Sequence, residues 1–386
     1  MGKNLLIVHG GGPTAVINCS LAGAIKAAQD NPNIERILAA KNGMGGLLKE
    51  EFIDLTDISD QKLKLILNTP GSVIGTSRDS LYEKEYKKAK DILKKHNISY
   101  CLLNGGNGTM DTTARLSEVM EGSNINVVGI PKTMDNDLGK TDHSPGFASA
   151  ARYMAKTTKE IVADVKGLPI HVVILESMGR NAGWVTAASA LSSTQNGFGP
   201  DIILLPEIPF EEDKFLEKIT DLRKEKSGIV VVASEGLKDT NGNLVTKPIF
   251  KSDRAVYYGD VGSYLASLVI SKLNIKARNE KPGLISRASI DLRSTIDIEE
   301  AYNVGKIAVE KITQGYTSSM VSIKRISNTP YKVKYEMVDL TKGMIEEKQL
   351  SRDYISEDGF FVTEKYIDYL KPLVGKFDDE MICFNN

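Results

Sequence analysis

The sequence has few cysteines and no long apolar run near its start, and each shortage excludes a class of protein. Three cysteines, Cys19, Cys101 and Cys383, occur among 386 residues, with no CxxC pair and no zinc-ligand spacing. We therefore expect a reducing compartment and no structural zinc. The first apolar run, Leu5–Val8, is too short for a signal peptide or a membrane span, which predicts a cytoplasmic protein that does not bind a membrane.

An excess of charge of one sign is also missing. The 49 lysines and arginines balance 50 aspartates and glutamates, so the formal net charge is -1. A general nucleic-acid binder carries a strong positive excess, and this class is therefore excluded. Anionic ligands must instead be bound by local clusters of cations. The four histidines show no metal-ligand spacing and no arrangement that indicates nucleophilic catalysis.

The order of apolar and amphipathic segments predicts an α/β protein of two or three domains. Short, uninterrupted apolar runs alternate with helical patterns, as in parallel sheets that are covered on both faces. The first series of predicted strands comprises Leu5–Val8, Arg36–Ala40, Tyr100–Leu103 and Asn126–Ile130. A second α/β series follows, with helices at Ala148–Val165, Ala182–Leu191 and Glu211–Glu225 and strands at His171–Leu175, Asp201–Leu204 and Gly228–Ser234. Alternating runs at Met320–Ile326 and Tyr331–Val338 predict antiparallel strands in the tail.

Two glycine-rich segments follow predicted strands: GGGPTA at 10–15 and NGGNGTMDT at 104–112. A helix that begins after such a turn offers free N–H groups to an anion, and glycine lets a phosphate approach the backbone. The ends of parallel strands meet at one edge of a sheet, so both segments point to one phosphate site. Neither segment matches the GxGxxG or P-loop pattern. A plain strand-to-helix turn is the alternative at each position.

The segment IPKTMDND at 130–137 places two carboxylates after a predicted strand. In an extended stretch Asp135 and Asp137 would face the same way. One could then accept a hydroxyl proton while the other binds Mg²⁺ or shifts the pKa of its partner. A turn rich in Asp and Asn is the alternative.

Several arginines are candidates for anion binding. Arg180, in MGRNAGW, stands near the start of a predicted helix, where the helix dipole does not favour a cation and a bound anion would explain it. Arg78, Arg278 and Arg287 are further candidates, because the guanidinium group matches phosphate oxygens in bidentate fashion. A solvated surface arginine is the alternative for each.

Together, GGNGT, PKTMDND and MGRNAGW resemble the motifs GGDG[ST], P[GK]TIDND and MGRxAG of the phosphofructokinase family. The similarity runs in order from about Leu5 to Arg287, and the tail EDGFFVTEKYIDYL resembles that of the longer, non-allosteric branch. The resemblance implies two Rossmann-like three-layer lobes with mostly parallel sheets, an active site between them and a C-terminal extension. Residues 1–140 with about 287–318 would form the donor lobe, and 141–286 with about 319–386 the sugar-phosphate lobe.

The resemblance also implies an activity: Mg²⁺-dependent phosphoryl transfer to the 1-hydroxyl of fructose 6-phosphate. Asp135 would be the general base and Asp137 its supporting carboxylate, while Arg78 and Arg180 would neutralise the transferring group. The implied donor contacts are Gly11, Arg78, Gly106, Asn107, Gly108, Thr109 and Lys132. The implied contacts to the sugar phosphate are Thr133, Asp135, His171, Met178, Gly179, Arg180, Glu235, Arg278 and Arg287. A homodimer or homotetramer is implied as well, because family members complete the 6-phosphate site across a subunit interface.

The identity of the donor depends on two residues that favour opposite answers. Pyrophosphate-using relatives usually carry Asp at the position of Gly108, where a carboxylate would repel the α-phosphate of a nucleotide. Lys132, in contrast, matches a lysine that pairs with pyrophosphate in those relatives. We predict ATP, because a missing obstruction is harder to compensate than an extra cation is to tolerate. The alternative is a reversible, pyrophosphate-dependent phosphotransferase.

Departures from the family pattern leave further alternatives open. Asn107 replaces the Asp usually associated with Mg²⁺, so the metal would be held mainly by phosphates and water. His171 stands where many members have Arg, and Leu284 where many have His or Tyr, so a different sugar phosphate remains an alternative acceptor. A non-catalytic homologue that only binds sugar phosphate is the last alternative, and Asn107 is its motivation.

Overall fold

The computed structural model describes residues 3–194, 197–252, 255–340, 346–376 and 381–384. The chain divides into two compact units. The first unit contains Met1–Ser149 and Arg287–Lys348, and the second contains Ala150–Ser286 and Gln349–Asn386.

Helices and strands alternate over most of the described chain. Its first part contains β1 Lys3–His9, α1 Ile17–Gln29, β2 Ile34–Ala40, α2 Gly43–Leu48, β3 Phe52–Asp54, α3 Asp60–Leu67, α4 Glu83–Lys95, β4 Ile98–Gly105, α5 Asn107–Val119 and β5 Asn126–Pro131. The middle contains α6 Phe147–Gly167, β6 Val172–Ser177, α7 Trp184–Ala187, β7 Ile202–Leu204, α8 Glu212–Glu225, β8 Ile229–Ser234, β9 Pro248–Ser252, β10 Ala255–Tyr258, α9 Val261–Leu273 and β11 Ala277–Glu280. The last part contains α10 Ile285–Ala288, α11 Thr295–Thr313, β12 Ser319–Asn328, β13 Tyr331–Asp339 and α12 Glu364–Val374.

The first unit is built on a seven-stranded sheet in the order β13-β12-β5-β4-β1-β2-β3. Its inner strands are parallel, whereas β3 and β13 at the two edges are antiparallel to their neighbours. β1 is buried from Asn4 to His9, with Leu5 and Ile7 packed on one face of the sheet and Leu6 and Val8 on the other. Helices α1 and α11 cover the first face, and α2, α4 and α5 cover the second. This is the three-layer arrangement that the uninterrupted apolar strands predict.

The second unit has a four-stranded parallel sheet in the order β11-β6-β8-β7. Helices α8 and α9 cover one face with a core that includes Phe215 and Leu265, and α6 covers the other with Val162 and Val165. The tail of the chain also packs in this unit, where Trp184 meets the rings of Tyr354, Tyr366 and Tyr369. The predicted α/β class is confirmed for both units.

Two features differ from the expectations. Residues 319–348 belong to the first unit and not to the second lobe, because Ser319 and Met320 of β12 pair with β5 and extend the first sheet. The helix expected at 182–191 is the four-residue α7, which continues as a 3-10 helix over Ala188–Thr194. Among the described residues, no helix combines the length and the apolar character that a bilayer crossing requires.

Candidate active site

The first glycine segment forms a loop after β1 that is tied to the chain around residue 77. Gly10 N donates to the carbonyl of Asn104 at 2.9 Å, and Gly11 N donates to that of Ser77 at 2.8 Å. The hydroxyl of Thr76 donates to Gly11 O at 2.7 Å. These bonds fix the backbone next to Arg78 beside the loop. Since α1 begins only at Ile17, this loop is not a helix N-terminus, contrary to the expectation.

The second glycine segment does begin a helix. Gly106 is the N-cap residue of the 13-residue α5, and it directly follows β4. A Cβ on Gly105 or on Gly10 would overlap the side chain of Thr109, so both neighbouring strand ends require glycine here. Gly108 is exposed, and a Cβ there would meet nothing within 4 Å. The first helical bond is donated by Thr109 N to Gly106 O, so the backbone N–H groups that precede Thr109 in α5 can bind an anion.

Three cations of the first unit surround the loop at Gly11 and Gly12. The ammonium of Lys132 donates to Gly12 O at 2.5 Å. A Cβ on Gly12 would overlap Nη1 of Arg287 and would lie 3.5 Å from Nη2 of Arg78. We call Arg78, Lys132 and Arg287 the cation cluster. The sequence predicted each of them as an anion contact, and the structure brings them together.

The electrostatics of Lys132 show how strongly this region is charged. The side chain is buried, and burial lowers its pKa from 10.5 to about 8. Arg287 and Arg78 lower the pKa further, whereas Asp135 and Asp137 oppose the shift. An anionic ligand beside Lys132 would stabilise its charged form, because a nearby opposite charge raises the pKa of an ammonium group. The cation cluster therefore has the properties of a site for phosphate groups.

Residues 132–138, here called the acidic loop, are not extended. Asn136 has a φ of 55°, which turns the backbone between Asp135 and Asp137. The expectation that the two carboxylates share one face of an extended stretch is therefore wrong. Asp137 instead accepts from the hydroxyl of Thr133 at 2.9 Å and from Nδ2 of Asn107 at 3.0 Å. The backbone N–H of Asp135 donates to the same Thr133 hydroxyl at 3.1 Å.

The oxygen atoms near Asn107 fit a magnesium ion that is held mostly by phosphate and water. Oδ1 of Asn107 is buried and has no hydrogen-bond partner in the described part of the chain. Its amide nitrogen is already bonded to Asp137, so the oxygen remains available to an ion or an ordered water. Carboxylate and amide oxygens are ligands that Mg²⁺ accepts while it keeps several waters. Within the described ranges, no three His, Cys, Asp or Glu side chains form a metal cluster.

In the second unit, Gly179 and Arg180 form a tight turn after β6. Gly179 N donates to Oε1 of Glu235 at 3.3 Å, and Arg180 adopts a left-handed φ of 49°. A Cβ on Gly236 would overlap the carbonyl oxygen of Arg180, so this turn packs directly on the end of β8. Arg180 is exposed and lies before the short α7, so the helix-dipole argument does not apply to it. Met178 precedes this turn and is partly buried.

His171 and Arg278 meet elsewhere in the second unit. They line a cavity of about 270 Å³ together with Glu160, Asp164 and Glu280. Burial lowers the pKa of His171, and the charges of Arg278 and Lys276 add to this shift. Among the described residues that line the cavity, Arg278 supplies the fixed positive charge, and Glu160, Asp164 and Glu280 are acidic.

The structure adds polar residues that the sequence motifs did not single out. His9 and Asn104 are the buried polar residues at neighbouring ends of β1 and β4, next to the glycine segments. Nε2 of His9 and both amide atoms of Asn104 have no hydrogen-bond partner in the described chain. A polar residue at the end of an apolar strand is the sequence signal that could have predicted both His9 and Asn104. Lys348 also reaches the acidic loop, but no local pattern marks a residue so distant in sequence.

Known proteins share both the sequence and the fold of this chain. The phosphofructokinase family model matches residues 4–312. The pyrophosphate–fructose 6-phosphate 1-phosphotransferase of Xanthomonas campestris is 37% identical over 96% of this chain and 91% of its own length. The crystal structure of a pyrophosphate-dependent phosphofructokinase from Nitrosospira multiformis matches with a TM-score of 0.89 and 36% identity, over 99% of this chain and 94% of that one. An ATP-dependent 6-phosphofructokinase of Clostridium perfringens is 28% identical over 90% of this chain and 95% of its own length. The chain belongs to the phosphofructokinase family.

Proposed function

We propose that this protein transfers a phosphoryl group from pyrophosphate to the 1-hydroxyl of fructose 6-phosphate. The cation cluster carries the proposal, because Arg78, Lys132 and Arg287 concentrate three positive charges on one glycine loop. Pyrophosphate places its charge in two adjacent phosphoryl groups and has no nucleoside that would require a further site. Relatives at 34 to 37% identity are named for this donor, which also supports pyrophosphate over the ATP expected from Gly108.

The proposed reaction is a direct displacement at phosphorus. Asp135 accepts the proton of the 1-hydroxyl, and the sugar oxygen forms a bond to one phosphorus of pyrophosphate while the bond to the bridging oxygen breaks. Orthophosphate leaves and fructose 1,6-bisphosphate is formed. The cation cluster stabilises the negative charge that spreads over the oxygens of the transferring group.

Mg²⁺ is the cofactor of this enzyme family, and it neutralises phosphate oxygens when it is bound. We assign Asn107 and Asp137 as the residues that would hold it, mainly through water. Asp137 also fixes Thr133, whose hydroxyl accepts the backbone N–H of Asp135. Thr133 and Asp137 therefore orient the base. Gly106 and Thr109, at the start of α5, are assigned to donor contacts.

For the sugar phosphate, we assign Met178, Gly179, Arg180 and Glu235 of the second unit as contacts. The bond from Gly179 to Glu235 gives this turn a fixed carboxylate that suits sugar hydroxyls. His171 and Arg278 are proposed contacts of the 6-phosphate. Arg287 was expected there too, and we assign it to the donor because of its position against Gly12. A homodimer or homotetramer is part of the same proposal.

ATP is the second candidate donor, and one observation favours it. Gly108 leaves open space next to the start of α5, since a Cβ there would meet nothing within 4 Å. An adenosine group attached to the donor phosphates would meet no carboxylate from residue 108. ATP use therefore stays a testable alternative to pyrophosphate use.

A donor comparison on one preparation tests the proposal. Fructose 1,6-bisphosphate formation is measured with Mg²⁺ and either pyrophosphate or ATP, and the Asp135→Asn variant serves as the blank. We expect turnover with pyrophosphate, and the reverse reaction on addition of phosphate. Turnover with ATP alone would replace the proposal by the second candidate. Sugar-phosphate binding without turnover by any donor would indicate the non-catalytic alternative.

A further inference from the structure

Lys348 joins the end of the first unit to the acidic loop. Its backbone N–H donates to the carbonyl of Asp137 at 2.8 Å, next to an antiparallel bridge between Leu138 and Glu347. Its ammonium donates to Oδ1 of Asn136 at 3.2 Å, to Thr141 O at 3.1 Å and to Asp142 O at 2.7 Å. One side chain therefore links both ends of the turn that follows Asp135.

Asn136 is the residue on which this turn depends. It is fully buried and has a left-handed φ of 55°, a conformation that non-glycine residues adopt only when their surroundings hold them. Its side-chain oxygen accepts from Ser144 N at 3.2 Å as well as from Lys348. Asp135 is the residue immediately before Asn136. The orientation of Asp135 is therefore coupled to the bonds that Asn136 makes.

Lys348 is bonded to the backbone carbonyl of Asp142, and the side chain of Asp142 belongs to a largely buried ionic network. The carboxylate of Asp142 pairs with Nδ1 of His143 at 2.7 Å and accepts from Nε of Arg325 at 3.0 Å. Nε2 of His143 lies 2.5 Å from the carboxylate of Glu300. Glu300 belongs to α11 and Arg325 to β12, so the network is anchored on two regular elements of the unit. Because the network fixes Asp142, a lysine bonded to the backbone of Asp142 can restrain the loop.

We propose that Lys348 is a positioning residue, which holds the turn from Asn136 to Asp142 so that Asp135 keeps the orientation in which it accepts the hydroxyl proton. This inference rests on the proposed function, because that function gives Asp135 its role. Lys348 acts through the acidic loop and not on the reacting atoms. Its loss leaves the oxygen of Asn136 and two carbonyls each with one donor fewer, and the turn can relax.

Lys140 offers a matched control in the same unit. It is exposed, and its ammonium donates to the carbonyl of Asp339 at 2.9 Å. Like the Lys348 contacts, this bond ties the residues that follow Asp137 to a distant part of the first unit, here the last residue of β13. Unlike Lys348, it makes no hydrogen bond with Asn136 or with Asp137. The pair Lys348→Met and Lys140→Met therefore separates restraint of the turn from the general loss of a lysine-to-carbonyl bond.

Steady-state kinetics give the first readout. We expect Lys348→Met to lower kcat by about 10- to 100-fold, because a misplaced base destabilises the transition state. The KM values for pyrophosphate and for fructose 6-phosphate should each change by less than about threefold. Lys140→Met should keep kcat within about twofold. Lys348→Gln retains a donor without the charge and should lose less than Lys348→Met. Equal kcat values in wild type and Lys348→Met, or equal losses in both Met variants, would overturn the proposal.

Amide hydrogen exchange gives a second readout that needs no turnover. In Lys348→Met, amides of residues 133–145 should exchange about tenfold faster, while β1 and β4 keep their wild-type rates. Lys140→Met should leave residues 133–138 unchanged. Unchanged exchange of this segment in Lys348→Met would overturn the inference whatever the enzyme's activity. An inactive wild type with the expected exchange pattern would instead contradict the proposed function alone. If Lys348→Met does not fold, Lys348→Gln replaces it in both the kinetic and the exchange measurements.

Discussion

The guanidinium group of Arg287 lies against the Cα atom of Gly12, in the space that a side chain at residue 12 would fill. Arg78 approaches the same position, and Lys132 donates to the carbonyl of Gly12. Gly12 is therefore required for the close approach of charged side chains to the backbone. Donor binding in the proposed function depends on this approach.

Gly12→Ala should raise the KM for pyrophosphate by about tenfold, the loss expected when one charged hydrogen bond is weakened. The new methyl group displaces the end of a flexible arginine side chain and not the backbone, so the fold should persist. Initial rates at varied pyrophosphate measure the effect. Gly167→Ala is a suitable control, because a Cβ there would meet nothing within 4 Å. An unchanged KM in Gly12→Ala would remove Arg287 from the donor site.

Lys132 should make donor capture dependent on pH. Its pKa in the free protein is lowered to about 8, so the ammonium is charged below pH 8 and loses its charge as the pH rises further. We expect kcat/KM for pyrophosphate to fall by up to tenfold per pH unit above about 8. Lys132→Arg keeps its charge over this range and should lack that part of the decline. The ionisation of pyrophosphate affects both proteins equally, so identical profiles would contradict a role for Lys132.

Asp135→Ser should lower kcat by several orders of magnitude while both KM values stay within about threefold. The reason is that proton acceptance contributes to the transition state far more than to substrate binding. Stopped assays of fructose 1,6-bisphosphate over long times measure the residual rate. Asp221→Ser changes an exposed carboxylate of α8 and serves as the control. A near-normal kcat for Asp135→Ser would assign the base to another residue.

The sequence allowed the local elements of this site to be predicted, but not their long-range relationships. Continuous apolar runs located β1, β4 and β5, since a strand buried on both faces has no polar alternation. The glycine segments marked the ends of β1 and β4, and they too are a local feature of the sequence. The contact of Arg287 with Gly12 depends on how distant segments pack. No spacing rule connects them, and the same holds for Lys348 and Asn136.

The expectation that β12 and β13 belong to the sugar-phosphate lobe was wrong for a related reason. Their alternating pattern correctly predicted an antiparallel pair. The pattern carries no information about which parallel sheet the pair extends, and the pairing of Ser319 with Val128 decides this. The backbone of Asn136 was also missed, because a left-handed residue inside a short acidic segment depends on its buried hydrogen bonds.

Gly108→Asp should separate the two donors. The position lies in the first turn of α5, where a carboxylate is compatible with the helix dipole, so the fold should be retained. We expect kcat/KM for ATP to fall by more than about tenfold, because the carboxylate repels the α-phosphate, and that for pyrophosphate to change less than about threefold. Gly108→Asn supplies the same volume without charge. Equal losses with both donors would show that residue 108 does not select between them.

The buried pair of His143 and Glu300 should make the stability of the first unit depend on pH. Burial alone would lower the pKa of His143, but the charges of Glu300 and Asp142 and their hydrogen bonds raise it to about 9. Because this value lies above the unfolded value of 6.5, the stabilisation is complete below about pH 6.5 and is lost as the pH rises through about 9. A shift of this size corresponds to about 3 kcal/mol of the free energy of unfolding.

Urea unfolding of wild type and His143→Gln between pH 6.5 and 9.5 measures this contribution. Lys132 and Lys348 oppose this trend, because their pKa values in the folded protein, about 8, lie below the unfolded value of 10.5. Loss of their charges at high pH therefore stabilises the folded state. The informative quantity is therefore the difference in free energy of unfolding between the two proteins, in which the lysine contributions cancel. We expect that difference to shrink by about 3 kcal/mol as the pH increases. A difference that stays constant for His143→Gln over this pH range would contradict the raised pKa of the buried histidine.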